Sequence, residues 1–370
     1  MKWDYFVDLH EKLNKVIQKY DLASLEQEMR VAKGQEKSRL RKQIEDSIKK
    51  LRMCLQKNIS TNSVTKVVQT LTTHLLDNLT LWWFTGMPRK EDARIELYIP
   101  IVSKITIDKP GKIGDEINFR PDFKNLPSPH WLGLQVDFKL LTPWYSKDER
   151  IFHVLDNPVR KDRVFGVPFM SASSWKGLLR WACRMQAGLS NHLEEHGGKL
   201  EGWNDPPWIL HLFGNEKGEE EFFHKGALVF YPTWFNKIGF EVINPHDRTR
   251  RAGTQPIYYE VVPPDAQGTL SLLYAPWPGM KPKVDEEEIL PNLLKAIEML
   301  LETYGISAKR TVGWGTTKIL EWRAFQINKR TQVATLDDWE NENQNGQKMN
   351  FWEFFWNHKI GPWLKEENDQ

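Results

Sequence analysis

Two neighbouring motifs carry most of the information about the fold of this chain: Asp156-Asn157-Pro158-Val159-Arg160-Lys161-Asp162 and Pro168-Phe169-Met170-Ser171-Ala172-Ser173-Ser174-Trp175-Lys176-Gly177-Leu178-Leu179-Arg180. The first motif places a lone carboxylate on a basic, turn-rich loop. The second predicts a helix start with free N–H groups, hydroxyls, and a Lys and an Arg one turn apart, which together suit a phosphate. A carboxylate beside a bound phosphate could act on it or place a metal ion there.

These motifs resemble the signature of RAMP proteins, the ferredoxin-like subunits of type III CRISPR effector complexes. That signature is roughly Asp-Ser/Asn-Pro-Val, followed by Ile-Pro-Gly-Ser-Ser-Leu-Lys-Gly-x-x-Arg. This chain departs from it at Ser171-Ala172, where Pro-Gly is usual, and at Trp175, where Leu is usual. Both departures keep the hydroxyls and the cations of the signature.

Two later segments resemble further parts of the family in the same order. Residues 246–263 resemble the thumb hairpin, and Gly305-Ile306-Ser307-Ala308-Lys309-Arg310-Thr311-Val312-Gly313-Trp314-Gly315 resembles the C-terminal glycine-rich loop. Each motif alone is weak, because basic glycine-rich loops are common. Three motifs in order cover roughly residues 130–325, and together they are fairly specific.

The resemblance implies a role for individual residues. In catalytic RAMP backbone subunits the matching aspartate cleaves target RNA with a divalent metal, so Asp156 is the expected catalytic residue and ligand of Mg²⁺ or Mn²⁺. RNA contacts are expected from Arg160, Lys161, Ser173, Ser174, Lys176, Arg180, His246, Arg248, Arg250, Arg251, Lys309, Arg310 and Trp314. Without the resemblance, Asp156 would be interpreted as an ordinary turn residue, since aspartates often hydrogen-bond nearby backbone N–H groups.

Composition sets further bounds. The chain has 370 residues and a net charge of +2, so bulk charge does not indicate nucleic acid. Residues 30–57, however, hold ten Lys or Arg against three acidic residues, an asymmetry that suits either a polyanion or a solvated helix face. Two distant cysteines argue against structural zinc and fit a reducing, cytoplasmic setting. No apolar run suits a membrane span, and some of the 17 tryptophans could stack on bases.

Periodicity predicts an α+β fold, a modified ferredoxin-like (RNA-recognition-motif-like) domain with insertions and an N-terminal helical extension. The predicted domains are residues 1–85 (helical extension), 86–330 (RAMP domain) and 331–370 (a tail with an aromatic docking segment). Predicted helices cover 4–57, 64–81, 173–189 and 286–304, with a break at 58–61. Predicted strands cover 95–107, 132–141, 227–231, 240–243, 258–262, 269–274 and 316–322, and residues 190–225 are predicted to be loop-rich.

The sequence therefore predicts a guide-RNA-binding backbone subunit of a type III CRISPR ribonucleoprotein that cleaves target RNA. Its expected partners are guide CRISPR RNA, target RNA and other effector subunits, with no membrane. A non-catalytic RAMP capping subunit is one alternative. A protein–protein scaffold is another. A stand-alone guide-processing nuclease would need a His/Tyr acid–base set near its N-terminus, and the sequence shows none there.

Overall fold

A computed structural model describes residues 22–61, 91, 94–103, 112–113, 117–118, 120–149, 153–162, 166–215, 224–247, 249, 252–253, 256–344 and 348–365. The predicted helix over 64–81 lies outside these residues, as do Arg248, Arg250 and Arg251. None of the helices in the described part of the chain combines the length and apolar character of a bilayer span.

The elements are numbered in chain order. The α-helices are α1 (Leu22–Val31), α2 (Gly34–Thr61), α3 (Ile99–Val102), α4 (Ala172–Gln186), α5 (Leu189–Glu195), α6 (Pro207–Phe213), α7 (Glu286–Glu298), α8 (Leu336–Gln344), α9 (Phe351–Phe355) and α10 (Gly361–Lys365). Short π-helices cover Arg94–Tyr98, Met299–Tyr304 and Trp356–Ile360, and Arg310–Val312 forms a 3₁₀ turn. The strands are β1 (Lys112–Ile113), β2 (Ile117–Asn118), β3 (Leu132–Leu140), β4 (Phe169–Met170), β5 (Leu228–Phe230), β6 (Thr233–Trp234), β7 (Gly239–Ile243), β8 (His246–Asp247), β9 (Ala252–Gly253), β10 (Ile257–Val261), β11 (Gln267–Tyr274), β12 (Thr317–Phe325) and β13 (Gln332–Thr335).

The chain divides into two compact units, each built from several segments. The first comprises Met1–Ile117, Tyr145–Phe169 and Phe235–Pro263, and the second comprises Asn118–Trp144, Met170–Trp234 and Pro264–Gln370. The two units interleave along the sequence, because the second is interrupted by loops and a hairpin that belong to the first. The predicted division at residues 85 and 330 stays a prediction.

The second unit is built on an antiparallel sheet with the strand order β13-β12-β3-β11-β5. Without the edge strand β13, the chain order is β3-α4-β5-β11-α7-β12, and the two middle strands are the first and third. This is the β-α-β-β-α-β arrangement of a ferredoxin-like fold. The predicted α+β class and ferredoxin-like core are confirmed.

Strand β3 shows why the sheet forms at this place. Leu134, Val136, Phe138 and Leu140 alternate with polar residues and are buried, as a half-covered strand requires. The Phe138 ring packs edge-on against Trp175 of α4, with 6.2 Å between the ring centroids. Helix α4 therefore covers the apolar face of β3.

Helix α4 begins slightly earlier than predicted. Its N-cap is Ser171, whose side chain accepts a hydrogen bond from the Ser174 N–H, so the helix begins at Ala172 and not at the predicted residue 173. The helix ends at Gln186, and Gly188 two residues later takes a left-handed φ of 98°. Glycine is the usual residue for that conformation after a helix, which explains why the helix stops before Leu189.

The region predicted to be loop-rich, 190–225, contains two helices. Helix α5 begins directly after Gly188, and helix α6 begins at Pro207. The pair Pro206-Pro207 suggested a loop, but proline is well tolerated at the first position of a helix, where its missing N–H would be unpaired anyway. The prediction was wrong at these two elements.

In the first unit the predicted strand over 95–107 is also wrong for the residues that are described, 95–103. Residues 94–98 form a π-helix and α3 follows directly. Arg94, Tyr98 and Val102 are buried while Ile95 is 44% exposed, so the buried positions recur every four residues. The alternation of Ile95 with Leu97 and Ile99 suggested a strand, but the structure follows the four-residue period of a helix instead.

Elsewhere the predicted elements agree with the structure. Helices α1 and α2 confirm the helical character of residues 22–57, and α2 continues through the predicted break to Thr61. Strands β7 and β10 pair as an antiparallel hairpin in the first unit. The aromatic segment of the tail docks as predicted, because Phe355 stacks on the buried Trp322 of β12 with 5.5 Å between ring centroids.

Candidate nucleic-acid interface

The loop that carries Asp156 is tied to strand β10 in the first unit. The Glu260 N–H donates a hydrogen bond to the Asn157 carbonyl (3.0 Å), and the Val159 N–H donates one to the Glu260 carboxylate (3.1 Å). Val159 is buried, whereas the Asp156 side chain is 69% exposed. The loop thus has a fixed backbone from which the Asp156 carboxylate faces solvent.

A buried ion pair lies beneath this loop. The Lys161 ammonium is 2.9 Å from the Glu260 carboxylate and 2.9 Å from the Tyr98 hydroxyl, and both charged side chains are 0% exposed. The Tyr98 hydroxyl donates a further hydrogen bond to Glu260 at 2.5 Å. Lys161 was predicted to bind RNA, but a fully enclosed ammonium with these partners cannot reach a phosphate, so we correct that assignment.

Arg94 is the charged neighbour of Asp156. Its guanidinium lies 3.6 Å from the Asp156 carboxylate, and its side chain is only 9% exposed. The same guanidinium stacks over the Tyr258 ring, 4.5 Å from the centroid. A stack on an aromatic face and a carboxylate at one end hold this cation in a defined orientation.

Among the described residues, those around Asp156 do not form a complete set of ligands for a divalent ion. A metal ion at a single carboxylate would need further oxygen ligands from the protein or substrate. Here the carboxylate already faces the guanidinium of Arg94. Across the described residues there is no group of three or more His, Cys, Asp or Glu side chains that could hold a metal ion.

Arg160 is the exposed cation of the same loop. Its guanidinium lies over the Phe169 ring, 5.5 Å from the centroid, and its backbone N–H donates to the Ser146 carbonyl at 2.7 Å. No carboxylate of the described residues forms an ion pair with it. The loop therefore buries Lys161 and presents Arg160.

In the second unit the start of helix α4 gathers three hydroxyls. The Ser171 hydroxyl lies 3.0 Å from that of Ser173 and 2.9 Å from that of Ser174. One turn later Lys176 is exposed, with no ion pair among the described residues. Partial burial and the neighbouring Arg180 lower the pKa of Lys176 below its ordinary value. Hydroxyls and an ammonium thus face solvent at one end of the helix.

Arg180, predicted to bind RNA, is engaged within the protein. It donates two hydrogen bonds to one oxygen of Asp205, at 3.0 and 2.6 Å, and Arg184 donates to both oxygens of the same carboxylate. The Asp205 side chain is 3% exposed and that of Arg180 is 11% exposed. This cluster fixes the loop before α6 to helix α4. We therefore correct the prediction: Arg180 is a structural cation.

The glycine-rich loop is a tight backbone crossing between α7 and β12. The Ile306 N–H donates to the Gly315 carbonyl at 2.9 Å, and Gly305 and Gly315 have φ values of 78° and 86°. A Cβ atom on Gly315 would lie 2.4 Å from the Ser307 nitrogen. Glycine is required here both by conformation and by space, and the crossing fixes the base of the loop.

Arg310 joins the glycine-rich loop to helix α4. Its guanidinium stacks on the Trp181 ring at 3.9 Å from the centroid, and Tyr304 packs edge-on against the same ring at 4.8 Å. Burial against these rings lowers the pKa of Arg310 below its ordinary value. Lys309 and Trp314 are half-buried in the same loop, where the Trp314 N–H donates to the Lys309 carbonyl at 3.3 Å.

Gly177 lies in α4 between Lys176 and Trp181 and is exposed. A Cβ atom at this position would meet nothing within 4 Å. Glycine in a helix interior destabilises it by roughly 0.5–1 kcal/mol relative to alanine. No contact with the described residues explains this glycine.

The predicted thumb is an antiparallel hairpin of the first unit. His246 and Asp247 pair with Gly253 and Ala252 as strands β8 and β9, near the tip of the β7–β10 hairpin. Two apolar side chains on the hairpin are exposed, Val242 at 52% and Ile257 at 36%. The arginines predicted at the tip lie outside the described residues, and nothing is described of the His246 side chain.

The predicted site residues thus fall into two groups. The first unit holds Asp156, Arg160, Lys161 and the thumb, and the second unit holds Ser173, Ser174, Lys176, Arg180, Lys309, Arg310 and Trp314. Sequence reasoning missed four side chains that organise these groups: Arg94, Trp181, Asp205 and Glu260. Only Glu260 had a visible signal, since a carboxylate within the apolar run Tyr258-Tyr259-Glu260-Val261-Val262 indicates a buried ion pair.

Comparisons with family models, curated proteins and solved structures show what this chain is similar to. Residues 137–318 match the family model of the RAMP superfamily. No curated protein matches this chain. Among solved structures, one match is a chain of the cryo-EM structure of the Type III-B Cmr-beta bound to cognate target RNA, at 15% identity and a TM-score of 0.36. The alignment covers 55% of this chain and 61% of that chain.

The family match includes the aspartate loop, helix α4, the thumb and most of the ferredoxin-like sheet. It therefore covers all three motifs on which the resemblance depended. Residues 137–318, just under half of the chain, thus carry the RAMP superfamily match.

Proposed function

We propose that this chain is an RNA-binding backbone subunit of a type III CRISPR ribonucleoprotein that works in the cytoplasm. The observation that carries the proposal is the edge of the second unit where helix α4 and the glycine-rich loop meet. There Lys176 is exposed beside the serine hydroxyls, and Arg310 stacks on Trp181. The RAMP superfamily match over residues 137–318 and the order of the three motifs support the same function.

The proposed ligand at this edge is the backbone of the guide RNA. Phosphate oxygens accept hydrogen bonds from hydroxyls, N–H groups and cations, and such contacts position a strand without reading its sequence. Sequence recognition is left to base pairing between guide and target. The exposed Gly177 would allow a sugar or phosphate to approach the helix backbone closely.

The proposed role of the β7–β10 hairpin is to distort the guide–target duplex. Val242 and Ile257 are exposed apolar side chains on neighbouring strands of this hairpin. Apolar wedges that enter a base step unstack it, at a cost of a few kcal/mol that contacts to the distorted strand offset. The basic tip predicted from the sequence would supply such contacts.

Asp156 is the proposed catalytic residue for cleavage of target RNA. RNA carries its own nucleophile: as the 2′-oxygen bonds to phosphorus, the P–O5′ bond breaks and the departing 5′-oxygen takes a proton from water. A subunit therefore needs to hold the phosphate in line and accept the 2′-hydroxyl proton. The exposed Asp156 carboxylate is suited to accept that proton. The Arg94 guanidinium, stacked on Tyr258, holds that carboxylate in position. This version of the proposal needs no metal ion held by the protein.

The test is target-RNA cleavage by the reconstituted complex with Asp156→Ala. We expect loss of one specific cut, because the proton acceptor is gone, while guide RNA remains bound. The matched control is Glu149→Ala, which removes another exposed carboxylate from the same unit and should leave the cleavage pattern intact. An unchanged pattern with Asp156→Ala would remove the catalytic role.

A non-catalytic capping subunit is the second candidate. It is favoured by the ion pair between Asp156 and Arg94, since a structural ion pair needs no chemistry. The same experiment separates the two functions: a capping subunit predicts that the complex carrying Asp156→Ala assembles and cleaves like the parent. A protein–protein scaffold predicts instead that the purified chain has no salt-sensitive affinity for RNA.

A further inference from the structure

Trp277 is held in solvent by a rigid turn in the second unit. The Met280 N–H donates to the Trp277 carbonyl at 3.1 Å, Pro278 follows Trp277, and Gly279 has a φ of 80°. Proline and then a positive-φ glycine at the central positions are typical of a type II turn. Met280 is buried and anchors the turn, whereas Trp277 keeps 38% of its surface exposed. No other tryptophan among the described residues is exposed.

The chain places a cation beside this ring. The Lys225 ammonium lies over the Trp277 ring, 5.7 Å from the centroid. The two segments are joined near this contact, because the Ala275 N–H donates to the Ala227 carbonyl at 2.8 Å. The cation and the indole are therefore both carried by anchored backbone.

Two more lysines follow on the same loop. Lys281 and Lys283 are exposed and have no ion pair in the described part of the chain. The Pro282 carbonyl between them contacts the ring of the buried His211 at 3.1 Å, which fixes this part of the loop. The loop thus presents two exposed lysines within six residues of Trp277, in addition to Lys225 over the ring.

Four exposed carboxylates, residues 285–288, follow these lysines at the start of helix α7. Asp285 caps helix α7 by accepting a hydrogen bond from the Glu287 N–H at 3.0 Å. The Glu287 carboxylate faces Lys365 at 3.6 Å. Glu286, between them, accepts a hydrogen bond from the Tyr274 hydroxyl at 3.3 Å, so three of the four carboxylates are engaged within the protein. Trp277, Lys225, Lys281 and Lys283 together define what is here called the indole–lysine surface.

This surface is separate from the interface at the glycine-rich loop. The indole–lysine surface follows Tyr274, which pairs with Leu132 at the start of β3, whereas the glycine-rich loop precedes Thr317, which pairs with Leu140 at its end. A strand of this length spans about 27 Å. The two surfaces lie beyond opposite ends of the same sheet.

We propose that the indole–lysine surface is a second RNA-binding site, which stacks an unpaired base on Trp277 and holds the adjacent phosphates with the lysines. A flat ring with a cation beside it suits single-stranded RNA, because every base has a face that can stack. RNA is favoured over a protein partner because a lysine ammonium lies over the exposed indole and two more exposed lysines follow it in the chain. The inference rests on the proposed function as an RNA-binding subunit.

The test is binding of a labelled oligouridine to the full-length chain, followed by fluorescence anisotropy. We expect Trp277→Ala to weaken binding about tenfold, because a stacked base is lost. Trp277→Phe keeps an aromatic face and should stay close to the parent. Replacing Lys281 and Lys283 together with alanine should lower the slope of log affinity against log salt by about 1.4.

The matched control is Val333→Ala, which removes another exposed apolar side chain from the same unit. The second site would be overturned if Trp277→Ala bound as tightly as the parent while the double variant Lys176→Ala, Arg310→Ala lost binding. That result would leave the proposed interface in place. The reverse pattern would overturn the interface at the glycine-rich loop and leave the second site. A parent chain that binds no oligouridine would overturn both.

Discussion

The loop that carries Asp156 and the helix that follows it use their basic residues differently. In the loop, Lys161 is enclosed with the Glu260 carboxylate, and both side chains are 0% exposed. In the helix, Lys176 is exposed, while Arg180 one turn later is bound to Asp205. Three motif cations that were predicted to bind RNA thus have three different environments.

The difference shows that a cation's role depends on the carboxylates that the fold brings to it. Burying a charge is costly unless a partner and hydrogen bonds compensate it, so Lys161 can be enclosed only because β10 places Glu260 beside it. No carboxylate of the described residues pairs with Lys176. Structural cations are therefore expected to affect stability, and exposed cations are expected to affect RNA affinity.

The largest expected effect comes from breaking the buried pair. Glu260→Leu leaves the Lys161 ammonium enclosed without its counter-charge, so we expect the free energy of unfolding to fall by about 3–5 kcal/mol. Adding Lys161→Met should recover much of that loss, since no charge then remains buried. Urea unfolding followed by circular dichroism measures both, with Glu149→Ala as the control. If Glu260→Leu unfolded at the same urea concentration as the parent, the claim that the buried pair stabilises the fold would be contradicted.

Asp205→Asn should have the next largest effect, about 2–3 kcal/mol, because charge-assisted hydrogen bonds are lost. Burial alone would raise the pKa of Asp205, but hydrogen bonds from Trp203 and the two arginines outweigh it and hold the pKa below its ordinary value. This carboxylate therefore stabilises the fold above the ordinary aspartate pKa, and that contribution is lost as pH falls through the lowered folded-state pKa.

The measurement is the unfolding midpoint of parent and Asp205→Asn from neutral pH downward. We expect the two midpoints to converge at the most acidic values, where the parent's carboxyl is protonated. RNA affinity at neutral pH should change little as long as the variant is folded. A gap in stability that stays constant down to the lowest pH would show that the carboxylate charge is not what stabilises the cluster.

Lys176→Ala should separate binding from stability. Loss of a charge-assisted contact to phosphate should weaken RNA binding by about tenfold at low salt and lower the slope of log affinity against log salt by about 0.7. The effect should be the same for RNAs of different sequence, because the contact is to the backbone. Lys199→Ala, another exposed lysine of the same unit, is the control. Equal salt slopes for Lys176→Ala and parent would place the phosphate elsewhere.

The smallest and most selective change is Gly177→Ala. It should stabilise helix α4 by about 0.5–1 kcal/mol, because alanine is a better helix former and its Cβ meets nothing within the chain. RNA binding should nevertheless become weaker, since the added methyl group would occupy the space of a closely approaching strand. Thermal unfolding and anisotropy measure the two effects on one sample. A more stable variant with unchanged affinity would remove Gly177 from the interface.

Elements with a clear period were predictable. The alternation Leu134, Val136, Phe138, Leu140 predicted β3, and the order of strands and helices predicted the ferredoxin-like core. Residues 95–107 were mistaken for a strand because Ile95, Leu97 and Ile99 also alternate. The buried set Arg94, Tyr98 and Val102 includes a charged residue, and a hydrophobic pattern cannot identify a buried arginine before its partners are known.

The candidate site likewise has features that the sequence predicts and contacts that it does not predict. Exposure of Asp156, the hydroxyls at the helix start and the glycine-rich crossing follow from local chemistry, so the motifs located them. The stack of Arg310 on Trp181 joins residues that are more than a hundred positions apart, and no local pattern indicates it. Arg94 beside Asp156 is a contact of the same kind.

The sequence by itself determined the family, the order of the core elements and the positions where hydroxyls, cations and the aspartate occur. Those properties depend on residue type and on spacing within a few turns or strands. Only the tertiary structure decided which cations remain for a ligand, because that depends on the carboxylates that distant segments bring within about 4 Å. Glu260 encloses Lys161 and Asp205 binds Arg180, whereas Lys176 meets no such partner among the described residues.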